Sequence, residues 1–255
     1  MSERLGSPCE TLADKVALIT GGARRVGAVI ARTLHAAGAN VVVHCHRSLP
    51  AARALRDELE RQRPGSIAVE AADLLDTTAL PALVQAVMQR FGRLDILVNN
   101  ASSFYPTPLG QISATQWEDL IGTNLRAPLF LTQAAAEPLR AHGGSVINIV
   151  DIHGQRPLRE HVVYSTAKAG LIMLTRALAR ELAPGVRVNA IAPGSILWPE
   201  GGMQESRKAH ILERTPLQRQ GSPDDIARAV LFFSREAPFV TGQVLAIDGG
   251  RSIAW

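Results

Sequence analysis

The sequence predicts an α/β fold: a single domain on a doubly wound, seven-stranded parallel sheet with helices on both faces. Two observations lead to this prediction. Short apolar runs alternate with segments of helical length, as in parallel strands that are joined by crossover helices. The chain has 255 residues, 46% of them hydrophobic, which is enough to bury one substantial core. No repeat or low-complexity linker interrupts the alternation, so we expect one domain over residues 14–255 after a flexible tail over residues 1–13.

Seven apolar runs are the predicted strands. In chain order they are 16–20, 41–45, 66–70, 94–100, 145–150, 186–191 and 243–248. Gly38, Gly92 and Pro184-Gly185 each follow a segment with helical periodicity, where a helix has to end before the next strand begins. Right-handed crossovers between such strands give a Rossmann fold. The Gly- and Pro-rich stretch at about 193–212 follows the sixth strand, where ligands bind in such sheets, and we interpret it as a mobile substrate loop.

The composition excludes several classes of protein. The 27 Lys and Arg residues against 23 Asp and Glu give a formal charge of +4, which is too small and scattered for a nucleic-acid surface. Two cysteines, Cys9 and Cys45, suggest neither a disulfide framework nor a metal site. No apolar run approaches the roughly 20 residues that span a bilayer, and the N-terminus lacks the apolar core of a signal peptide. We therefore expect a soluble, cytoplasmic protein that binds small anions and no metal, nucleic acid or membrane.

The first strand leads into a glycine-rich turn, TGGARRVG, that opens a helix. The backbone N–H groups of such a turn and the N-terminus of the helix can receive a pyrophosphate. A glycine cluster alone also fits an ordinary tight turn, but this one carries two arginines that such a turn would not need. The predicted cofactor contacts in this turn are Gly21, Arg24, Arg25, Val26 and Gly27.

The end of the second strand predicts which dinucleotide binds. Proteins that use NAD usually place an acidic residue there to accept from the ribose 2′-hydroxyl, whereas this chain has His46, Arg47 and Ser48. A guanidinium can form forked, charge-assisted bonds to a 2′-phosphate, so NADPH is the expected cofactor. The alternative for Arg47 is an exposed loop cation. Asp73, after the third strand, is placed to accept from the adenine amine, and Asn99, Asn100 and Ala101 close the fourth strand against the same crevice.

A tyrosine and a lysine carry the predicted proton chemistry. Tyr164 and Lys168 stand at i and i+4 and share one helix face. The ammonium can stabilise a tyrosinate and lower the phenol pKa from about 10, which gives a proton donor beside a hydride carrier. Such a pair is frequent by chance. Combined with the glycine-rich turn, NNAS, GTNLRAP around Asn124 and the PGS that begins at Pro193, it makes residues 14–250 resemble the short-chain dehydrogenase/reductase superfamily.

One departure from that superfamily is chemical. The usual element before the tyrosine is a serine hydroxyl, and this chain has Asp151 in its place. An ionised carboxylate near a developing oxyanion raises the barrier to ketone reduction. An acid suits a substrate whose ring nitrogens are protonated as hydride reaches carbon, and whose N–H groups bond to a carboxylate. The predicted catalytic residues are therefore Asp151, Tyr164 and Lys168.

Five segments together are similar to the pteridine reductases: TGGARRVG, HCHRS, NNASSFYPTPL, VDIHGQRPL and YSTAKAG. The resemblance implies a homotetramer that reduces oxidised and dihydro pterins to tetrahydro forms with NADPH, acting on CH–NH groups. It also implies activity on folate or dihydrofolate and inhibition by antifolates such as methotrexate. A planar heterocycle between Phe104 and the nicotinamide would gain about 0.5–1.5 kcal/mol from stacking.

The same resemblance assigns residues to roles. Tyr164 with Asp151 would protonate the pterin, and Lys168 would hold the nicotinamide ribose. The implied substrate contacts are Arg25, Ser102, Phe104, Asp151, Tyr164, Leu197 and Trp198. The further cofactor contacts that it implies are Leu74, Ser102, Asn124, Tyr164, Lys168, Pro193, Gly194, Ser195 and Ile196.

Two other functions remain open from the sequence. One is an NADPH-dependent reductase of ketones or 3-oxoacyl thioesters. The other is a non-catalytic NADPH-binding regulator. The sequence does not decide whether pterin or folate is the physiological substrate, or whether Arg251 or Trp255 reaches the site of a neighbouring subunit.

Overall fold

The seven-stranded sheet is present, and all of its strands are parallel. The computed structural model describes residues 11–199 and 201–254, so most of the predicted N-terminal tail, Glu200 and Trp255 lie outside it. The strand order is β3-β2-β1-β4-β5-β6-β7, which confirms the predicted fold class. The strands are β1 (Val16–Ile19), β2 (Asn40–Cys45), β3 (Ile67–Ala71), β4 (Ile96–Asn99), β5 (Ser145–Ile149), β6 (Arg187–Pro193) and β7 (Val244–Ile247).

Both faces of the sheet are covered, which explains why the strands are continuous apolar runs in the sequence. In β1, Ala17 and Ile19 face one core cluster, while Val16 and Leu18 face the other. This alternation follows from the two-residue period of a strand. Leu12, the second described residue, packs against the domain. Its side chain is buried, and its N–H donates to the Ala37 carbonyl at 2.8 Å.

Eight α-helices lie within the described residues. They are α1 (Arg25–Ala36), α2 (Leu49–Gln62), α3 (Leu80–Phe91), α4 (Ala114–Ile121), α5 (Ala127–Arg140), α6 (Val162–Glu181), α7 (Glu205–Glu213) and α8 (Pro223–Arg235). Buried side chains of α1, α2 and α8 fill the core on one face of the sheet, and those of α3, α5 and α6 fill the other. Within the same described part of the chain, no helix has the length and apolar character needed to cross a membrane.

The stretch after β6 is more regular than expected. The sequence predicts an irregular loop at about 193–212, but α7 begins at Glu205. This helix buries none of its side chains, so it leaves no apolar stripe in the sequence from which a helix can be inferred. The irregular part is therefore the shorter segment before α7.

The order of the strands places the site. The chain leaves β1 toward β2 and β3, and later returns to the other side of β1 with β4. In doubly wound sheets, ligands bind at the carboxyl ends of the strands where this reversal occurs. The glycine-rich turn follows β1, and Asn100 follows β4, so both lie at this edge.

Candidate active site

A cavity of about 790 Å³ opens at this reversal point, within the range of about 300–1,000 Å³ that is usual for cofactor and ligand sites. Most of the site residues predicted from the sequence line this cavity. The predicted residues that line it are Gly21, Arg24, Arg25, Val26, Gly27, His46, Arg47, Asp73, Leu74, Asn100, Ala101, Ser102, Asp151, Tyr164, Lys168, Pro193, Gly194, Ile196 and Leu197. Segments far apart in the chain thus form one site.

The glycine-rich turn is shaped to receive an anion. A side chain at Gly27 would place its Cβ 2.2 Å from the carbonyl oxygen of Gly21, so only glycine allows α1 to start this close to the turn. At the N-cap of α1, Arg24 makes no side-chain capping bond, and no acidic residue stands in the first turn. By contrast, Ser222 caps α8 with a reciprocal capping box. The N–H groups of the first turn of α1 are therefore available to a pyrophosphate.

Arg25 stands in a strained backbone position. Its φ is +51°, in the left-handed region where glycine is favoured and other residues are disfavoured by about 1–2 kcal/mol. Its Nη2 donates to the Trp198 carbonyl at 3.2 Å, so the guanidinium connects the glycine-rich turn to the segment after β6. Retaining arginine at a position that suits glycine is consistent with a role for its side chain at the site.

The corner beyond β2 carries two exposed basic side chains. His46 and Arg47 are exposed and line the cavity, and the His46 Nε2 lies 3.9 Å from Asp73 Oδ2. Ser48 is different: it occupies the N-cap of α2, makes no side-chain capping bond and does not line the cavity. A group with negative charge therefore finds two basic side chains in this corner.

Asp151, Tyr164 and Lys168 come together at the end of β5. The Tyr164 hydroxyl donates to Asp151 Oδ2 at 2.7 Å, and the His153 N–H donates to Asp151 Oδ1 at 2.8 Å. Lys168 Nζ donates to the Ile149 carbonyl at 2.9 Å and lies 5.7 Å from the centre of the Tyr164 ring. Tyr164 and Lys168 are both buried, so these bonds are made away from bulk water.

The sequence predicts a lowered pKa for Tyr164, and this prediction is wrong in direction. Burial, followed by the neighbouring carboxylate of Asp151, raises the pKa of Tyr164 well above its ordinary value, and the Ser102 hydroxyl opposes this only in part. Burial lowers the pKa of Lys168 to about 8, although Asp151 opposes that shift. The sequence shows the lysine but not the burial of the phenol. Tyr164 is therefore a neutral hydrogen-bond donor to Asp151.

Two aromatic rings pack around Phe104, whose side chain is 51% exposed. The His161 ring stacks on it at 4.7 Å between centroids with 20° between the planes, and Tyr164 meets it edge-on at 4.8 Å. Tyr105, the next residue, points its hydroxyl at Asp119 Oδ2, at 2.8 Å. The segment after β4 is thus held in place, and Phe104 is fixed next to Tyr164.

Asn124 lies in a π-helical turn, Gly122–Arg126, between α4 and α5. Such turns are frequent at functional sites. Its Oδ1 accepts from the Ser102 hydroxyl at 2.7 Å, and its Nδ2 donates to the carbonyls of Ser103 and Leu120, each at 2.9 Å. Asn124 is fully buried and does not line the cavity, so its contacts hold Ser102 from behind.

Four other predicted site residues lie outside the lining of the main cavity. They are Ser48, Phe104, Ser195 and Trp198. Ser195 lines an adjacent cavity of about 510 Å³. The Trp198 ring lies 6.0 Å from Lys208 Nζ, and its carbonyl is the acceptor for Arg25. Arg251 donates to the Ile211 carbonyl of its own chain at 3.1 Å.

Sequence reasoning missed several residues that line the cavity: His44, Leu75, Ser103, Asp119, Thr123, Ile149 and Val150. For His44 a signal was present. It stands two residues before His46, and residues two apart in extended chain point to the same side. The others lie at or after the ends of predicted strands, or on α4 and the turn after it, where only the folded chain shows which way they point.

Comparisons with known proteins agree with this architecture. A family profile described as enoyl-(acyl carrier protein) reductase matches residues 21–252. The chain is 37% identical to pteridine reductase 1 of Leishmania tarentolae, over 93% of this chain and 96% of that protein. It is 36% identical to a 3-oxoacyl-[acyl-carrier-protein] reductase of Staphylococcus aureus, over 92% of this chain and 97% of that protein.

A solved structure matches the whole fold. A protein of Sinorhizobium meliloti, described as a short-chain alcohol dehydrogenase, superposes with a TM-score of 0.92 over 97% of this chain and 100% of its own, at 31% identity. Because relatives that act on different substrates are similar to the same degree, they establish the family and leave the substrate to the site. The chain belongs to the short-chain dehydrogenase/reductase superfamily, in the family of that profile, and is an oxidoreductase that uses a nicotinamide dinucleotide.

Proposed function

We propose that the protein is an NADPH-dependent pteridine reductase, which reduces oxidised or dihydro pterins, and folate or dihydrofolate, to their tetrahydro forms. The observation that carries this proposal is the hydrogen bond from the Tyr164 hydroxyl to Asp151 Oδ2, at 2.7 Å. It puts a carboxylate where a ketone reductase of this superfamily has a neutral hydroxyl.

A carboxylate in this position disfavours ketone reduction. The carbonyl oxygen of a ketone gains negative charge as hydride arrives, and it must lie near Tyr164 to be protonated. Two negative charges about 4 Å apart repel by about 4 kcal/mol at an effective dielectric constant of 20. A pterin avoids this repulsion, because the proton goes to a ring nitrogen and its N–H groups can donate to the carboxylate.

The cofactor preference follows from the corner beyond β2. NADPH supplies the hydride, and its 2′-phosphate would meet His46 and Arg47, which line the cavity there. The amide groups at the start of α1 would hold the pyrophosphate. Lys168, which is buried beside Tyr164, would hold the nicotinamide ribose.

The protein would pass one proton to the substrate in each turnover. Tyr164 gives its proton to the ring nitrogen next to the carbon that receives hydride. The tyrosinate that remains stands 2.7 Å from Asp151 Oδ2, and solvent returns the proton to Tyr164 before the next turnover.

Purified protein with NADPH tests the proposal. Cofactor oxidation should occur with dihydrobiopterin and with dihydrofolate, and methotrexate should inhibit it in competition with the pterin. A 3-oxoacyl thioester should be a poor substrate. Turnover of the thioester or of simple ketones, with neither pterin nor folate consumed, would overturn the assignment.

The second candidate is a 3-oxoacyl thioester reductase, which the equally similar bacterial relative supports. Replacing Asp151 by serine discriminates between the two, because the change restores the neutral donor of a ketone reductase. A third candidate, the non-catalytic regulator, would bind NADPH tightly and oxidise it with none of these substrates.

We also propose that the chain assembles as a homotetramer. Large apolar side chains that do not line the cavity are exposed: Trp117 on α4, Phe130 on α5, Phe232 on α8 and Leu245 on β7. β7 is also an edge strand, which proteins commonly cover. Light scattering after gel filtration should give about four times the 27.3 kDa chain mass, and a monomer would contradict the proposal.

A further inference from the structure

His44 is a buried histidine between two loops of the cofactor site. It is the fifth residue of β2, its side chain is 1% exposed, and it lines the main cavity. Its Nδ1 lies 3.3 Å from the Gly21 nitrogen, and its Nε2 lies 3.1 Å from the Ala72 carbonyl oxygen. One ring therefore connects the glycine-rich turn after β1 with the segment after β3.

The two partners fix the protonation state of the ring. The Ala72 carbonyl can only accept, so Nε2 must carry a hydrogen. The Gly21 N–H can only donate, so Nδ1 must be a bare acceptor. Both bonds are made only by the neutral ring with its hydrogen on Nε2. Protonation would place an N–H at Nδ1 facing the Gly21 N–H, and that bond would be lost.

The loops that the ring connects are those that meet a dinucleotide. Gly21 begins the turn that leads to the N-terminus of α1, and the adjacent Gly22 donates its N–H to the His44 carbonyl at 3.0 Å. Ala72 is followed by Asp73, which lines the adenine end of the predicted site. The His44 ring therefore holds the backbone nitrogen of a residue in the turn where a pyrophosphate would lie.

We propose that His44 is a positioning residue for the dinucleotide: its neutral imidazole keeps the glycine-rich turn in register with the Asp73 loop, so that protonation of His44 weakens cofactor binding. The residue need not touch the cofactor to act in this way. The inference depends on the membership of the superfamily and not on the pterin substrate.

The charged groups around the ring determine the sign of the pH dependence. Burial lowers the pKa of His44, the bond to Ala72 opposes this, His46 lowers it further, and Asp73 raises it. The ring is then neutral at neutral pH, and affinity should fall only in acid. Arg24, Arg25 and Arg47 are the arginines that line the same cavity.

His46 is a second histidine in the cavity lining, where it would meet a 2′-phosphate, so its contribution must be separated from that of His44. NADH lacks that phosphate, so the pH dependence of its affinity reflects His44 with a smaller contribution from His46. The His46→Asn variant removes this contribution and serves as the matched control.

The experiment measures dissociation constants of NADH and NADPH by cofactor fluorescence, without substrate, from about pH 5 to about pH 8, where histidine changes charge. His44→Asn keeps an acceptor near the Nδ1 position but does not titrate. His44→Leu removes the acceptor. We expect the NADH affinity of wild-type protein and of His46→Asn to fall in acid. The NADH affinity of His44→Asn should not fall in acid, and at neutral pH it should lie within a few-fold of the wild-type value.

His44→Leu should bind both cofactors about three- to tenfold more weakly at neutral pH, since a net hydrogen bond of about 0.5–1.5 kcal/mol is lost. Two outcomes would overturn the proposal. One is a loss of NADH affinity in acid for His44→Asn that equals the loss for wild type. The other is an unchanged cofactor affinity in His44→Leu. If His44→Leu does not fold, the pH profile of His44→Asn decides alone. A purely structural histidine would change the unfolding free energy of the variants without changing that profile.

Discussion

Replacing Lys168 by methionine should stabilise the free protein while abolishing catalysis. The ammonium is fully buried, and among the described residues its one hydrogen bond is to the Ile149 carbonyl. Burial lowers its pKa from 10.5 to about 8. At about 1.36 kcal/mol per pKa unit, the shift amounts to a penalty of about 3 kcal/mol in the folded protein at neutral pH. Methionine leaves the carbonyl without its donor, which costs about 1–2 kcal/mol, so the net gain should be about 1–2 kcal/mol.

The pH dependence gives the prediction its sign. Below about pH 8 the ammonium is charged in both the folded and the unfolded states, and the penalty is felt in full. Between about 8 and 10.5 the folded protein releases this proton while the unfolded chain keeps it. The unfolded state then binds more protons, so this group makes stability rise with pH across that window. Lys168→Met should lack this rise.

Urea denaturation of the cofactor-free protein, at neutral pH and at about pH 10, measures both effects. Lys208→Met is the matched control, because that ammonium pairs with Glu205 at the surface, and its loss should change the unfolding free energy by less than about 1 kcal/mol. A Lys168→Met variant less stable than wild type at neutral pH would refute the reasoning. So would an unfolding free energy of wild type that does not rise relative to that of the variant between neutral pH and about pH 10.

Three further substitutions test other parts of the account. Arg25→Gly should leave the unfolding free energy within about 1 kcal/mol of wild type, because relief of the left-handed backbone offsets the low helix propensity of glycine; its NADPH dissociation constant, measured by fluorescence, should rise at least about tenfold. His161→Leu should raise the KM for dihydrobiopterin about two- to tenfold with little change in kcat, since the stacked support of Phe104 is lost; an unchanged KM would contradict this. Asn148→Leu should lower the unfolding free energy by about 1–3 kcal/mol in urea titrations, because buried Asn99 and Thr175 each lose a hydrogen-bond partner, and equal stability would be the contrary result.

The fold could be predicted because its signals are local. A strand covered on both faces is a continuous apolar run, and a helix that ends before such a strand leaves a glycine or proline behind it. α7 escaped prediction for the same reason: with no buried side chain, it leaves no apolar periodicity. The residues of the cavity could be found because they follow strand ends, which meet at one edge of a parallel sheet.

Interactions between side chains distant in the sequence could not be predicted. The raised pKa of Tyr164 depends on its burial, which the spacing from Lys168 does not show. The stack of Phe104 on His161 joins the segment after β4 to the start of α6. Asn99 was expected in the crevice, but its amide donates to Asn148 Oδ1 inside the protein at 2.8 Å. Each of these depends on which face of an element is turned toward a neighbour.

The central claim is that Asp151 adapts this site to protonate nitrogen in place of oxygen. The most direct measurement is kcat/KM of wild type and Asp151→Ser for dihydrobiopterin and for a 3-oxoacyl thioester, each with NADPH. The account predicts that the substitution lowers the pterin value by about a hundredfold or more, the usual contribution of a positioned group in general acid–base catalysis, and raises the thioester value. A variant that reduces dihydrobiopterin as fast as wild type would contradict it.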